Sequence, residues 1–269
     1  TVLHGEEMEH PLDRRIPLAK WLASPDNPWF AKSIVNRYVS YLLGRGLVEP
    51  VDDLRSTNPA TNEEMFEALA NYLEEHQYDV KQLVKVIMNS RLYQLSSQPT
   101  ELNKSAGKFY AFYKVKRIAA EPLLDAINTA TDTTTKFTNL PLGTLAIELP
   151  DTNYNNYFLK TFGKPRRVSV CECERAPDEN LAQALHTLNG DTINAKIDDK
   201  NGRLSKLIAD EKTDDEIITA LFMATWSRTP TDEELTVCKG IISEAAERKE
   251  GLGDVLWALI NAKEFIYVR

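Results

Sequence analysis

Between Trp29 and Leu43 the apolar residues Phe30, Ile34, Val35, Tyr38, Tyr41 and Leu42 recur at three- and four-residue steps, and Gly44-Arg45-Gly46 then stops the pattern. A stripe with this period buries one side of an α-helix. A following glycine supplies the left-handed residue that ends it. The same rhythm returns along most of the chain and commits it to packed helices. Thr61 and Glu64 have capping-box spacing after Asn58-Pro59-Ala60, so a second helix is expected from there to about His76. A third, Val80 to Asn89, places Leu83, Val84, Ile87 and Met88 on one face. Before these, an apolar run from Ile16 to Leu22 follows an irregular lead-in over residues 1–13.

A long helical stretch is expected over Ala106 to Ala130, with Pro122 near a new helix start, because inside a helix proline costs about 3 kcal/mol. Thr131 to Val170 differs in kind. It is rich in Thr, Asn, Pro and Gly, and Leu145-Ala146-Ile147-Glu148-Leu149 is a candidate brief strand. Forty structureless residues do not suit a compact domain, so this reads as a packed excursion. Helices are expected again at Asn180–Leu188, Asp191–Asp198, Arg203–Ala209, Asp214–Trp226, Thr231–Arg248 and Gly253–Ile266.

The fold class is therefore mainly α: a multi-helical globular domain with a long irregular excursion over about 131–170 that has room for short β-strands. Three parts follow: an N-terminal helical part (1–130), the excursion with a Cys-x-Cys segment (131–179), and a C-terminal helical part (180–269). One compact domain is expected. A degenerate duplication is the alternative, because Ala60–Met65 resembles Pro230–Leu235 and Val86–Tyr93 resembles Ala258–Phe265.

The chain has 269 residues, 42% of them hydrophobic, enough to bury a sizeable core. A net charge of −8 argues against a general nucleic-acid binder, which needs a basic face. No run of about 18 apolar residues occurs, so no membrane span is expected. The polar start, with His4 and His10, is no signal peptide, and the absence of an initial Met marks the chain as an expected piece of a longer protein. Three cysteines allow one internal disulfide at most, leaving the pairing of Cys171, Cys173 and Cys238 open.

The densest chemistry lies in Cys171-Glu172-Cys173-Glu174-Arg175 and the following His186 and Asp191. In an extended segment both thiols face one way and both carboxylates the other. A metal reading joins Cys171, Cys173, His186 and Asp191 as four ligands. Cys-x-Cys is not the usual Cys-x-x-Cys knuckle, however, and buried packing or a strained local disulfide are the alternatives. Arg175 beside the thiols would lower a thiol pKa. Glu172, Glu174 and Arg175, with Arg166 and Arg167, suit an ion network that fixes the loop, or else a sugar or carboxylate site. His186, near a helix C-terminus, is explained by the helix dipole; as a base it would need Asp191 and a nucleophile.

Asn36-Arg37 is read as capping a neighbouring loop, with a binding role as the alternative. Asp52-Asp53 and Asp198-Asp199 read as solvated turns, with weak calcium binding as the alternative. Tyr154-Asn155-Asn156-Tyr157-Phe158 anchors the excursion or makes a sugar-stacking surface. No nucleophile elbow, P-loop, zincin or dinucleotide fingerprint occurs.

Arg15-Ile16-Pro17-Leu18-Ala19-Lys20-Trp21-Leu22, Asn27-Pro28-Trp29-Phe30-Ala31, Val35-Asn36-Arg37-Tyr38 and Leu43–Leu54 form a distinctive series, continued by Ser90–Ser97 and the Cys-Glu-Cys-Glu-Arg segment. Together they resemble domain of unknown function 1553, the C-terminal domain of large planctomycete-type proteins that often also carry a c-type cytochrome domain. The resemblance covers nearly the whole chain. It implies an extracytoplasmic location (periplasmic or secreted) and, as partners, other domains of a parent protein, among them a c-type cytochrome domain. It implies no reaction. The chain has no Cys-x-x-Cys-His, so no cofactor is expected in it, and any haem would belong to a separate domain of the parent. The leading expectation is a non-catalytic assembly or ligand-binding module. The alternatives are an enzyme acting on polysaccharide or another extracellular substrate near the Cys-x-Cys segment, and a docking surface for a fused c-type cytochrome.

Overall fold

The computed structural model describes residues 2–3, 6–7, 13, 15–24, 27–151, 154–164 and 191–268. They fall into two compact units, one ending at Lys116 and the other spanning Arg117–Val268. Both are helical, and strand among the described residues is confined to two-residue ladders. One ladder pairs Val2–Leu3 with Glu6–Glu7, where an irregular lead-in was expected.

The first unit contains α1 (Arg15–Leu22), α2 (Pro28–Leu43), α3 (Glu63–Glu75) and α4 (Val80–Met88). Buried Asn27 caps α2 by accepting from the Trp29 amide (2.9 Å), with Pro28 at the first helical position, where no N–H is needed. Gly44 ends the helix at φ 74°, as its sequence signal predicts. Ala31, Val35, Val39 and Leu43 of α2 meet Phe66, Ala70 and Leu73 of α3 and Leu83 and Ile87 of α4. The cap of α3 is Asn62, which accepts from the Met65 amide; Thr61 instead donates its hydroxyl to the Leu47 carbonyl. The N-cap thus falls one residue after the expected Thr61, and no Thr61–Glu64 box forms, because a long-range partner claims the threonine.

The loop after α2 is held from inside. Asn36, fully buried, donates through Nδ2 to the carbonyls of Val48 (2.9 Å) and Val51 (2.8 Å), while its Oδ1 accepts from the Val48 amide (3.0 Å). Gly46 lets the loop approach this close: an added Cβ would lie 2.9 Å from Asn36 Oδ1 and 2.7 Å from the Val48 carbonyl oxygen. Glu49 Oε1 accepts from the Gly46 amide, and Arg37 pairs with Asp52 on the outer side. Loop capping is therefore what Asn36 and Arg37 do here.

The second unit holds α5 (Ala120–Thr131), α6 (Tyr157–Thr161), α7 (Asp191–Ile197), α8 (Arg203–Ala209), α9 (Asp214–Trp226), α10 (Asp232–Glu244), α11 (Arg248–Asn261) and α12 (Lys263–Ile266). At its centre α5 touches α6 to α9, and α11 touches α7 to α10 and α12. Leu123, Leu124 and Ile127 pack with Ile217, Ile218, Leu221 and Phe222 and with Leu252, Val255, Leu256 and Leu259.

Four expected elements differ. Residues 106–119 are not helical beyond a 3-10 turn at Gly107–Phe109; Tyr110 takes φ 58°, and the hydroxyls of Tyr110 and Tyr113 donate to the Arg45 and Leu42 carbonyls. The aromatic spacing there is that of tethers, not of a helix face. Pro122 lies in the first turn of α5, among the amides that no helix satisfies. Leu145–Leu149 is not a strand but a 3-10 turn over Ala146–Glu148, whose Ala146 and Ile147 amides donate to the buried Asp125 carboxylate (2.7 and 3.1 Å). The stretch expected as a single Thr231–Arg248 helix breaks at Ala245, and α11 begins five residues before Gly253. After the break Gly251 allows a close return: its Cβ would stand 2.7 Å from Ile242 Cα, so α11 crosses α10 at backbone contact.

Removing the Asn36 side chain strands two carbonyls and one amide in the core. Each buried group left without a partner costs about 1–3 kcal/mol, part of which relaxation recovers, so Asn36→Ala should lower the free energy of unfolding by about 2–4 kcal/mol in urea. Amide exchange would then rise first in residues 44–51; unchanged exchange there would show that the loop does not depend on Asn36.

Candidate functional site

Cys171, Glu172, Cys173, Glu174, Arg175 and His186, with Arg166 and Arg167, lie outside the described residues, as does the expected Asn180–Leu188 helix. Asp191 is the first residue of α7. The remaining cysteine, Cys238, is a free thiol buried in α10. Among the described residues no three His, Cys, Asp or Glu side chains converge as a metal site. Asp52 and Asp53 turn to different guanidiniums, those of Arg37 and Arg55.

The excursion is anchored by its aromatic residues. Phe158 is buried and stacks on Phe162 with ring centres 4.1 Å apart, and Tyr154 meets Phe137 edge-on at 6.4 Å. Tyr157, unlike the rings of Tyr154 and Phe158, stands out into solvent, at 66% exposure. Thr131, Thr133 and Lys196 continue the anchoring: Lys196 Nζ donates to the Thr133 hydroxyl (3.2 Å), and burial pulls its ammonium pKa below the ordinary lysine value.

Two of the hollows among the described residues open on the second unit. The larger, about 720 Å³, is polar and lies between the end of α7 and the start of α11; Asn194, Asp198, Glu250, Asp254 and Trp257 are among its lining residues. The second, about 350 Å³, lies among α9, α10 and α11 and is walled by Phe222, Trp226, Val237, Cys238, Ile241, Val255, Ala258 and Leu259. Its volume falls within the range of small-molecule sites. Val237 on its wall is 64% exposed, so the hollow opens to solvent there.

A hub of charge closes one side of the apolar hollow. Ser227, left-handed at φ 57°, ends α9 and turns Arg228 back over the Trp226 ring, 4.8 Å from its centre. Arg228 then spends every donor. Nε and Nη2 reach Glu264 (2.8 and 3.1 Å), Nη1 and Nη2 reach Glu234 (2.8 and 2.7 Å), and Nη1 also reaches the Thr229 carbonyl. Glu234 doubles as the capping-box residue of α10, accepting from the Thr231 amide (2.8 Å). Its Arg228 bonds, and then the Thr231 amide, hold its carboxyl down at about 2, and the same carboxylates raise the Arg228 guanidinium above its ordinary value. Within the hollow, Trp226 Nε1 donates to the Leu259 carbonyl (3.1 Å), and burial, followed by the Glu234 charge, pushes the Cys238 thiol pKa up. Sequence reading places a helix start at Thr231. It gives no sign of Arg228 as the link to α12, because Glu264 lies thirty-six residues away.

A carboxyl depressed in the folded state adds stability above its unfolded pKa and loses it as pH falls through the folded value. For Glu234 that window runs from about 4.5 down to about 2. Glu234→Gln should lower the thermal midpoint at pH 7 by about 2–4 °C, a modest effect because the hub is partly exposed. Across the acid window the variant should also lose less stability than the parent chain, and parallel pH profiles in calorimetry would refute the assignment.

No curated protein matches this chain. No solved structure matches it either. The family described as Protein of unknown function (DUF1553) matches residues 14–144 and 144–242, and with most of its length covered the chain belongs to that family.

Proposed function

We propose that the chain is a non-catalytic assembly or ligand-contact module of a larger extracytoplasmic, cytochrome-linked protein. The observation that carries the ligand-contact part is the apolar hollow among α9, α10 and α11. Three of the polar groups around it are already committed: Trp226 to Leu259, Glu234 to Arg228 and Thr231, and the Cys238 thiol held neutral by burial. Such a cavity accepts a guest by contact and presents it with no activated base or nucleophile. Elsewhere, buried Asn36 and Asp125 serve as loop braces, the work expected of a scaffold. The extracytoplasmic and cytochrome-linked setting is supported by the family resemblance, with a c-type cytochrome domain of the parent protein as the proposed partner.

Titration of the whole chain with hexanol, followed by NMR at the Trp226 indole N–H, should give saturable shifts with Kd on the order of 1 mM, as befits so small a guest. Ala258→Trp, at an exposed position lining the hollow, should abolish them. No saturable shift would defeat the reading. Elemental analysis in parallel addresses the enzyme alternative: stoichiometric metal that disappears in Cys171→Ser or His186→Ala would replace the module with a metal site.

A further inference from the structure

The apolar hollow is not electrically neutral at its edge. Glu233 and Glu234 both line it, and Glu264 joins them through Arg228, setting three carboxylates against one guanidinium. Arg228 offers nothing to an anion, because its Nε, Nη1 and Nη2 are all occupied by carboxylate or carbonyl oxygens. Its single positive charge is shared by Glu234 and Glu264, which leaves that group with one negative charge in excess. Glu233 is different. It is exposed, lines the hollow and makes no ion pair with any described residue. An apolar body entering between Trp226, Val237 and Ala258 therefore meets an excess of negative charge where it emerges, with Glu233 its carboxylate free of any ion pair to the described residues.

From this charge pattern we infer that the guest of the hollow is a lipophilic cation: an aliphatic or aromatic body seated among Phe222, Val237, Ile241 and Ala258, with an ammonium group beside Glu233. The inference rests on the ligand-contact reading of the same hollow. A neutral guest gains only from the walls. An alkyl ammonium of equal size adds attraction to Glu233, whereas an alkyl sulfate meets repulsion and finds no free donor on Arg228. Excess carboxylate thus sets the order of preference, and salt should compress it because the rim is open to solvent.

Hexyltrimethylammonium, hexanol and hexyl sulfate, titrated into the whole chain and read at the Trp226 indole and by protection of Cys238 from alkylation in peptide mass maps, separate the possibilities. At low salt the ammonium should bind roughly tenfold tighter than the sulfate, shrinking to about threefold in Glu233→Gln and again in high salt. Hexanol affinity should be unchanged in that variant, and Ala258→Trp should eliminate binding of all three probes. Equal affinity for ammonium and sulfate, or a preference undiminished in Glu233→Gln, would overturn the cation inference and leave the ligand-contact reading standing. Failure of all three probes to move Trp226, or binding that persists in Ala258→Trp, would overturn both.

Discussion

A helical chain with long connections must satisfy backbone amides and carbonyls that no helix pairs, and here buried side chains reach out of helices to do so. Asn36 takes three backbone groups of the 44–51 loop from within α2. Asp125 takes two amides of the 146–148 turn from within α5. Unpaired, such groups would each cost more than a hydrogen bond ordinarily contributes, so these polar residues are conditions of the fold. They also let each loop lie against apolar neighbours: Leu47 and Val48 are buried beside Asn36, and Ala146 beside Asp125.

The same principle separates what the sequence makes legible from what it hides. Helix bounds marked by local chemistry are read correctly: Gly44 stops α2, and Arg203–Ala209 and Asp214–Trp226 match residue for residue. Errors arise where a side chain answers to a distant partner. Thr61 looks like a cap but bonds Leu47, fourteen residues back. Tyr110 and Tyr113 look like a helix stripe but bond carbonyls at the end of α2. Leu145–Leu149 alternates like a strand, yet Asp125, more than twenty residues earlier, fixes it as a turn. Sequence spacing encodes local periods and cannot encode which distant carboxylate an amide will meet.

The apolar hollow is hidden for the same reason, since its walls come from positions between Phe222 and Leu259 on three helices. In sequence these residues read as ordinary core stripes. Only their mutual placement leaves a space among them. The Cys171–Asp191 cluster is the opposite case: it is conspicuous in sequence, but most of it lies outside the described residues.

How α10 and α11 meet explains why a space exists at all. At the loop-connected end, Gly251 allows backbone contact, an added Cβ there standing 2.7 Å from Ile242 Cα. Toward the other end the facing positions carry side chains, with Val255, Ala258 and Leu259 on α11 opposite Val237, Cys238 and Ile241 on α10. Small Ala258 and Cys238 leave volume that larger residues would fill. Trp226 forms part of the wall without filling the space, its indole tied to Leu259 and its face covered by Arg228. Arg228 in turn is held between Glu234 on α10 and Glu264 on α12, which fixes α10 relative to the end of α9. A glycine contact at one end and a guanidinium clamp at the other thus hold two helices in place around a gap, and a gap maintained by flanking contacts persists without a guest to prop it open.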